Sequence, residues 1–139
     1  MIIDVNILVA YVTTIHPHHE RVSRWFDDAL NGESRVGLPW HSLLGFLRIV
    51  THPRIEGALD VGAAMDYIDA WLTAPAAWVP MPGPQHAATV RRLLKSAGRG
   101  SALVPDAHLA ALAVENAVPV VSFDVDFDVL GVRRIEPAA

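Results

Sequence analysis

Met1-Ile2-Ile3-Asp4-Val5-Asn6 opens the chain, and its two halves have opposite character. Ile2 and Ile3 are adjacent, β-branched and apolar, which suits a strand buried on both faces. Asp4 then ends the apolar run, and the chain turns helical from Asn6 to about Thr13. A carboxylate at the carboxyl end of a buried strand lies where open α/β sheets place their ligands. Residues 1–5 are therefore expected to form a strand that delivers Asp4 to a crevice.

Outward from that start, strands and helices alternate. Ile15-His16-Pro17-His18 is a break, because proline disfavours helix in the residue before it. From His18 to Leu30 the apolar residues Val22, Trp25, Phe26, Ala29 and Leu30 recur at helical spacing, and Gly32 stops that helix. Arg35-Val36-Gly37-Leu38 reads as a second strand. Pro39 suits the first turn of a helix running through Trp40 to about Val50, ended by His52-Pro53. Asp60 is placed to cap a helix carrying Val61, Ala64, Met65, Ile68, Trp71 and Leu72 on one face. Trp78-Val79-Pro80 is a short strand that its proline assigns to an edge. A helix from about Pro84 to Ala97 follows, then the loop Gly98-Arg99-Gly100-Ser101. The helix starting at Asp106 is apolar nearly all round and should be buried. Residues 119–123 and 132–135 supply the last strands. Such alternation predicts one α/β domain over 1–139, a central parallel five-stranded sheet flanked by helices.

Bulk properties narrow the function. The chain has 139 residues, enough for one domain with a real core, and 52% of them are hydrophobic. No apolar run is long enough to span a bilayer, and the N-terminus lacks the pattern of a signal peptide, so a cytoplasmic location with no membrane contact is expected. Absence of cysteine excludes disulfides and thiolate-bound metals. A formal charge of -4 argues against a generic basic nucleic-acid binder. It leaves room for a metal-dependent nuclease, because a bound divalent ion reverses the local sign of an acidic crevice.

Three carboxylates have the right placement for such a crevice. Asp4 and Asp124 close strand-like runs, and Asp106 opens the apolar helix. Singly, Asp4 and Asp106 would each read as a helix cap, and Asp124, Asp126 and Asp128 as a solvated turn. Gathered together they would repel one another and call for a cation. Hard oxygen ligands without cysteine point to Mg²⁺, with Mn²⁺ as a substitute.

With those acids placed, the chain resembles the PIN-domain ribonucleases, and among them the VapC toxins of bacterial toxin–antitoxin pairs. The resemblance spans nearly the whole length. It rests on Ile2-Ile3-Asp4-Val5-Asn6, Leu38-Pro39-Trp40, Gly45-Phe46-Leu47-Arg48-Ile49 and Thr51-His52-Pro53-Arg54. It continues through Val104-Pro105-Asp106-Ala107-His108-Leu109-Ala110-Ala111-Leu112-Ala113 and Val121-Ser122-Phe123-Asp124-Val125-Asp126-Phe127. The resemblance implies that Asp4, Asp106 and Asp124 hold the metal and carry catalysis, with Asn6 and Asp126 supporting. It further implies a Mg²⁺-dependent endoribonuclease acting on tRNA, rRNA or mRNA, a homodimer, and a cognate VapB-type antitoxin as partner.

The chain departs from the family at one place. The family usually carries a further acid near positions 43 to 45, where Leu43, Leu44 and Gly45 stand, and no carboxylate lies between Glu33 and Glu56. The alternative is therefore a PIN-like module that binds RNA or protein with lost or weak catalysis. A phosphatase using an aspartyl-phosphate is disfavoured, since Asn6 occupies the position where it needs a second acid. Arg48, Arg91, Arg92, Lys95 and Arg99 are candidates for RNA phosphate contact, against a solvated-surface role. The neighbouring His16, His18 and His19 suit a helix entry better than zinc; His41 and His108 lie in helices from which either could approach the crevice, and His108 suits packing or hydrogen bonding better than metal ligation. Trp40, Phe46, Trp71 and Leu72 are the apolar residues expected to supply a dimer face.

Overall fold

The computed structural model describes residues 1–139. Five two-residue strands, β1 (Ile2–Ile3), β2 (Val36–Gly37), β3 (Ala77–Trp78), β4 (Val120–Val121) and β5 (Arg134–Ile135), all pair in parallel in the order β3-β2-β1-β4-β5. The chain builds outward from β1 to β3, then returns to add β4 and β5 on the other side. The strand order thus reverses between β1 and β4, and the crevice beyond their carboxyl ends is the place where such sheets bind ligands.

Helices α1 (Val5–Val12), α2 (His19–Leu30), α3 (Trp40–Val50) and α4 (Val61–Leu72) cover one face of the sheet. Helices α5 (His86–Ala97), α6 (Val104–Glu115) and α7 (Asp126–Val129) cover the other. Alternation along the strands divides the core: Ile3 and Val121 join the first layer, while Ile2 and Val120 join the second. Helix α6 is apolar all round because it packs on the sheet and on α5 at once, burying Ala107 and every residue from Leu109 to Ala113. Each large apolar side chain buried in this way contributes about 1.5–3 kcal/mol.

Several boundaries differ from the sequence expectations. Helix α1 begins at Val5, one residue early, because Asp4 is its N-cap and accepts the Val5 N–H at 2.7 Å. Helix α6 begins at Val104 rather than Asp106. A 3₁₀ turn over Ser101–Leu103 feeds straight into it, and Pro105 sits in the first turn, where a missing N–H costs nothing. Asp106 therefore lies inside the first turn and is not its cap. Pro39 is at the N-cap of α3, and α5 starts at His86. The acids at 124, 126 and 128 do not form a plain turn: Asp126–Val129 closes a single helical turn. Asp60 does cap α4, accepting the Ala63 N–H at 2.9 Å. Phe46 and Trp71, expected at a dimer face, are instead interior, with ring centroids 4.8 Å apart. No helix is long and apolar enough to cross a membrane.

Candidate functional site

Asp4 is 6% exposed, and both of its carboxylate oxygens accept from protein donors. Its Oδ1 accepts the Val5 N–H; its Oδ2 accepts Ser122 Oγ–H at 2.6 Å and Asn6 Nδ2–H at 3.0 Å. Ser122, wholly buried, also accepts from Asn6 Nδ2 at 3.0 Å and from the Asp124 N–H at 2.9 Å. One hydroxyl thus ties the ends of β1 and β4 together across the switch point. Burial pushes the Asp4 carboxyl above the ordinary carboxylate range, against the pull of the Ser122 and Val5 hydrogen bonds.

Beside it, Asp106, Asp124 and Asp126 offer carboxylate oxygens within 4.8 Å of one another. Asp124 Oδ1 accepts the Asp126 N–H at 2.9 Å, which fixes the turn that brings the two acids together. Asp106 is pushed up to about 7, first by burial and then by Asp4, Asp124 and Asp126. Burial alone would disfavour any charge; it is the crowding by three neighbouring carboxylates that a bound cation would relieve. All three are hard oxygen donors, half-exposed, with no nitrogen or sulfur ligand among them, which fits Mg²⁺ or Mn²⁺. Asp128 takes no part: it pairs with Arg134 at 3.1 Å on the surface.

Asp4, Asp106 and Asp124 line one open crevice of about 720 Å³, with Asn6, His16, His41, Leu44, Gly45 and Arg48 among its walls. The α3 wall resolves the position of the absent acid. Leu43 is fully buried in the core, whereas His41, Leu44, Gly45 and Arg48 follow helical spacing along the crevice side. At Gly45 the α3 backbone comes so close to α1 that a Cβ would lie 2.8 Å from Val5 Cγ2. Beside the crevice, an apolar hollow of about 240 Å³ between α1 and α3 has Glu56 as its one titratable group and so offers no catalytic chemistry.

The basic candidates separate. Arg48 is in the crevice, and Arg99 reaches its edge through Asp126 at 3.5 Å. Arg91, Arg92 and Lys95 form their own concavity with Ala88 on the outer side of α5 and do not line the crevice. Of the two helical histidines able to approach the crevice, His41 lines it and His108 does not; His16 lines it unexpectedly, and the buried Ser122 braces it from behind. A polar residue ending the apolar run Val118-Pro119-Val120-Val121 is the available signal for Ser122. For His16, no local pattern indicates the face.

Comparison with known proteins identifies the family. The PIN domain family model matches residues 1–132. Ribonuclease VapC37 of Mycobacterium tuberculosis is 43% identical over 140 residues, covering 99% of this chain and 97% of that protein. Ribonuclease VapC33 of the same species is 38% identical over 125 residues, 89% of this chain and 87% of its own. Among solved structures, M. tuberculosis VapC20, a Sarcin-Ricin loop cleaving toxin, gives a TM-score of 0.70 at 16% identity, covering 94% of this chain and 95% of that one. Rickettsia felis VapBC2, bound to a DNA fragment from its promoter, gives 0.69 at 13% identity, with coverages of 97% and 96%. At such identities the structural likeness speaks to the fold.

Proposed function

Because this chain belongs to the PIN-domain family and its sequence relatives are VapC ribonucleases, we propose that it is the toxin of a type II toxin–antitoxin pair, a metal-dependent endoribonuclease. The convergence of Asp106, Asp124 and Asp126 beside Asp4, at the switch point of a parallel sheet, carries this reading. Asp4, Asp106 and Asp124 are assigned as the metal-holding residues. Asp126 supports them from α7, and Asn6 and Ser122 orient Asp4. Mg²⁺ held by these residues would supply Lewis acidity and an acidified water that, once deprotonated, attacks phosphorus.

The chain's own residues do the positioning. Ser122 and Asn6 fix the Asp4 carboxylate before any ligand arrives, as the groups behind metal ligands commonly do. No Ser, Cys or Lys side chain lines the crevice, so the attacking group is water rather than a protein nucleophile. Arg48 supplies positive charge for the RNA backbone on the α3 wall, and Arg99 on the opposite edge. Arg91, Arg92 and Lys95 would hold more distant phosphates.

The substrate class is RNA (a tRNA, rRNA or mRNA), and the partner is a small VapB-type antitoxin that silences the site. Solved neighbours of this fold include a VapBC complex. The toxin would pair as a homodimer and work in the cytoplasm. The absence of an acid on the crevice side of α3 favours one competing reading, a module that binds RNA with weak or lost catalysis. Induced expression in a bacterial host separates the two. The wild-type chain should arrest growth and Asp106→Asn should relieve it at equal protein level. Equal arrest by both would contradict the metal mechanism, and arrest by neither would favour the binding module.

A further inference from the structure

We propose that His41 is an RNA-phosphate contact of the crevice, held in orientation by a hydrogen-bonded chain of three side chains, His108, His86 and Glu115. The assignment rests on the ribonuclease reading and deepens it. His86 opens α5, and its Nδ1 lies 3.1 Å from both carboxylate oxygens of Glu115, the last residue of α6. Its Nε2 lies 2.9 Å from His108 Nδ1. His108 and Glu115 are seven residues apart on α6, hence on one stripe of that helix, and one imidazole bridges the space between them. The His86 and Glu115 side chains are only 16% and 14% exposed. The His108 ring in turn meets His41 edge-on, centroids 5.4 Å apart at 62°. His41 then faces the crevice that holds Asp4, Asp106 and Asp124.

Two other roles fit less well. A metal site would need convergent donors, and the one convergent ligand group in the chain is Asp106, Asp124 and Asp126. A simple clamp between α5 and α6 adds little, because Leu93, Leu103, Leu109 and Leu112 already share the buried core there. A half-buried polar chain contributes orientation more than net stability. Glu115 fixes which His86 nitrogen carries the proton it accepts, and His86 fixes His108, as outer groups do for functional histidines. The hydrogen-bonded order ends at His108, whose fixed ring packs edge-on against His41 at the crevice.

The chemistry of the wall identifies what His41 meets. The acids opposite repel a phosphodiester, so a strand of RNA needs donors on the α3 side. Of the α3 residues that line the crevice, only His41 and Arg48 have polar side chains. Seven residues separate them, roughly 10 Å along the helix, so they would meet different phosphates.

The test is fluorescence anisotropy with fluorescein-labelled, randomised single-stranded RNA oligonucleotides, in Ca²⁺ to hold back cleavage. Mn²⁺ binding without RNA and thermal melting are measured alongside. His41→Phe keeps the aromatic edge against His108 and removes the donor. It should weaken RNA binding about tenfold with Mn²⁺ affinity unchanged. His41→Asn, which restores an N–H, should recover part of the loss. Glu115→Gln should weaken binding in the parent protein and add nothing in the His41→Phe background, since the two act as one unit. His41→Phe binding RNA as the parent does would overturn the contact, and loss of Mn²⁺ binding would reassign His41 to the metal. An equal Glu115→Gln penalty in both backgrounds would reduce the chain to a clamp. If the parent itself binds no RNA, the ribonuclease reading falls first and this assignment with it.

Discussion

Ser122 joins the two halves of the crevice through a single oxygen. Its hydroxyl donates to Asp4 and accepts from Asn6 and the Asp124 backbone. Ser122→Ala leaves a buried carboxylate short of a donor, which costs about 1–3 kcal/mol of stability. It should also lower Mn²⁺ affinity about 10–100-fold, readable by calorimetry. Asp106 gives a second expectation at this scale. Its folded-state value, about 7, lies above its ordinary one, so its contribution to stability is full below the unfolded value and is lost as pH rises through about 7. The metal-free protein should therefore melt at lower temperature at pH 8 than at pH 5. Asp106→Asn should flatten that slope, by a modest amount because the group is partly solvated. A steeper slope in the variant would reverse the assignment. The position of Asp4 at a strand end, and of Asp124 just beyond another, is legible in sequence because each acid interrupts an apolar run. The role of Ser122 is not, because its Asp4 and Asn6 partners lie across the sheet, more than a hundred residues away.

Helix α3 shows where element-level reading stops. Its existence and extent follow from Pro39, the apolar spacing and His52-Pro53, and the structure agrees to within a residue. Its phase against the crevice does not, because a helix buried on one side and lining a cleft on another has two candidate inner faces. Residues 43–45 share the place of the absent acid in sequence, yet in the fold they point three ways. Leu44 faces the crevice, Leu43 the core, and Gly45 the edge of the crevice where α3 abuts α1. Leu44→Glu should tighten Mn²⁺ binding with little change in melting temperature. Leu43→Glu should unfold or severely destabilise the protein, since an unpaired buried carboxylate costs several kcal/mol. Calorimetry that finds tighter Mn²⁺ binding in a folded Leu43→Glu variant would instead put position 43, not 44, on the metal side of α3. The start of α6 escapes sequence reading for a related reason. Asp106 is a good cap in isolation, but Pro105 and the preceding 3₁₀ turn draw the helix start back to Val104.

For the molecule as a whole, alternating strands and helices are enough to expect a parallel five-stranded sheet with ligands at its switch point. What the pattern does not supply is how completely one chain buries its own aromatics. Phe46 and Trp71 pack inside, which leaves Trp40, 44% exposed, among the apolar surface available for pairing. Light scattering at micromolar concentration should still report twice the 15.1 kDa chain mass; a monomer would remove the proposed homodimer. The most direct test of the central claim is a cleavage assay on total RNA with purified protein, run with Mg²⁺, with Mn²⁺ and with chelator. Discrete cleavage products should form with either metal, vanish with chelator, and be absent for a correctly folded Asp124→Asn variant. Cleavage that persists in chelator, or in the folded Asp124→Asn protein with Mg²⁺, would contradict the assignment of this acidic crevice as the centre of a metal-dependent ribonuclease.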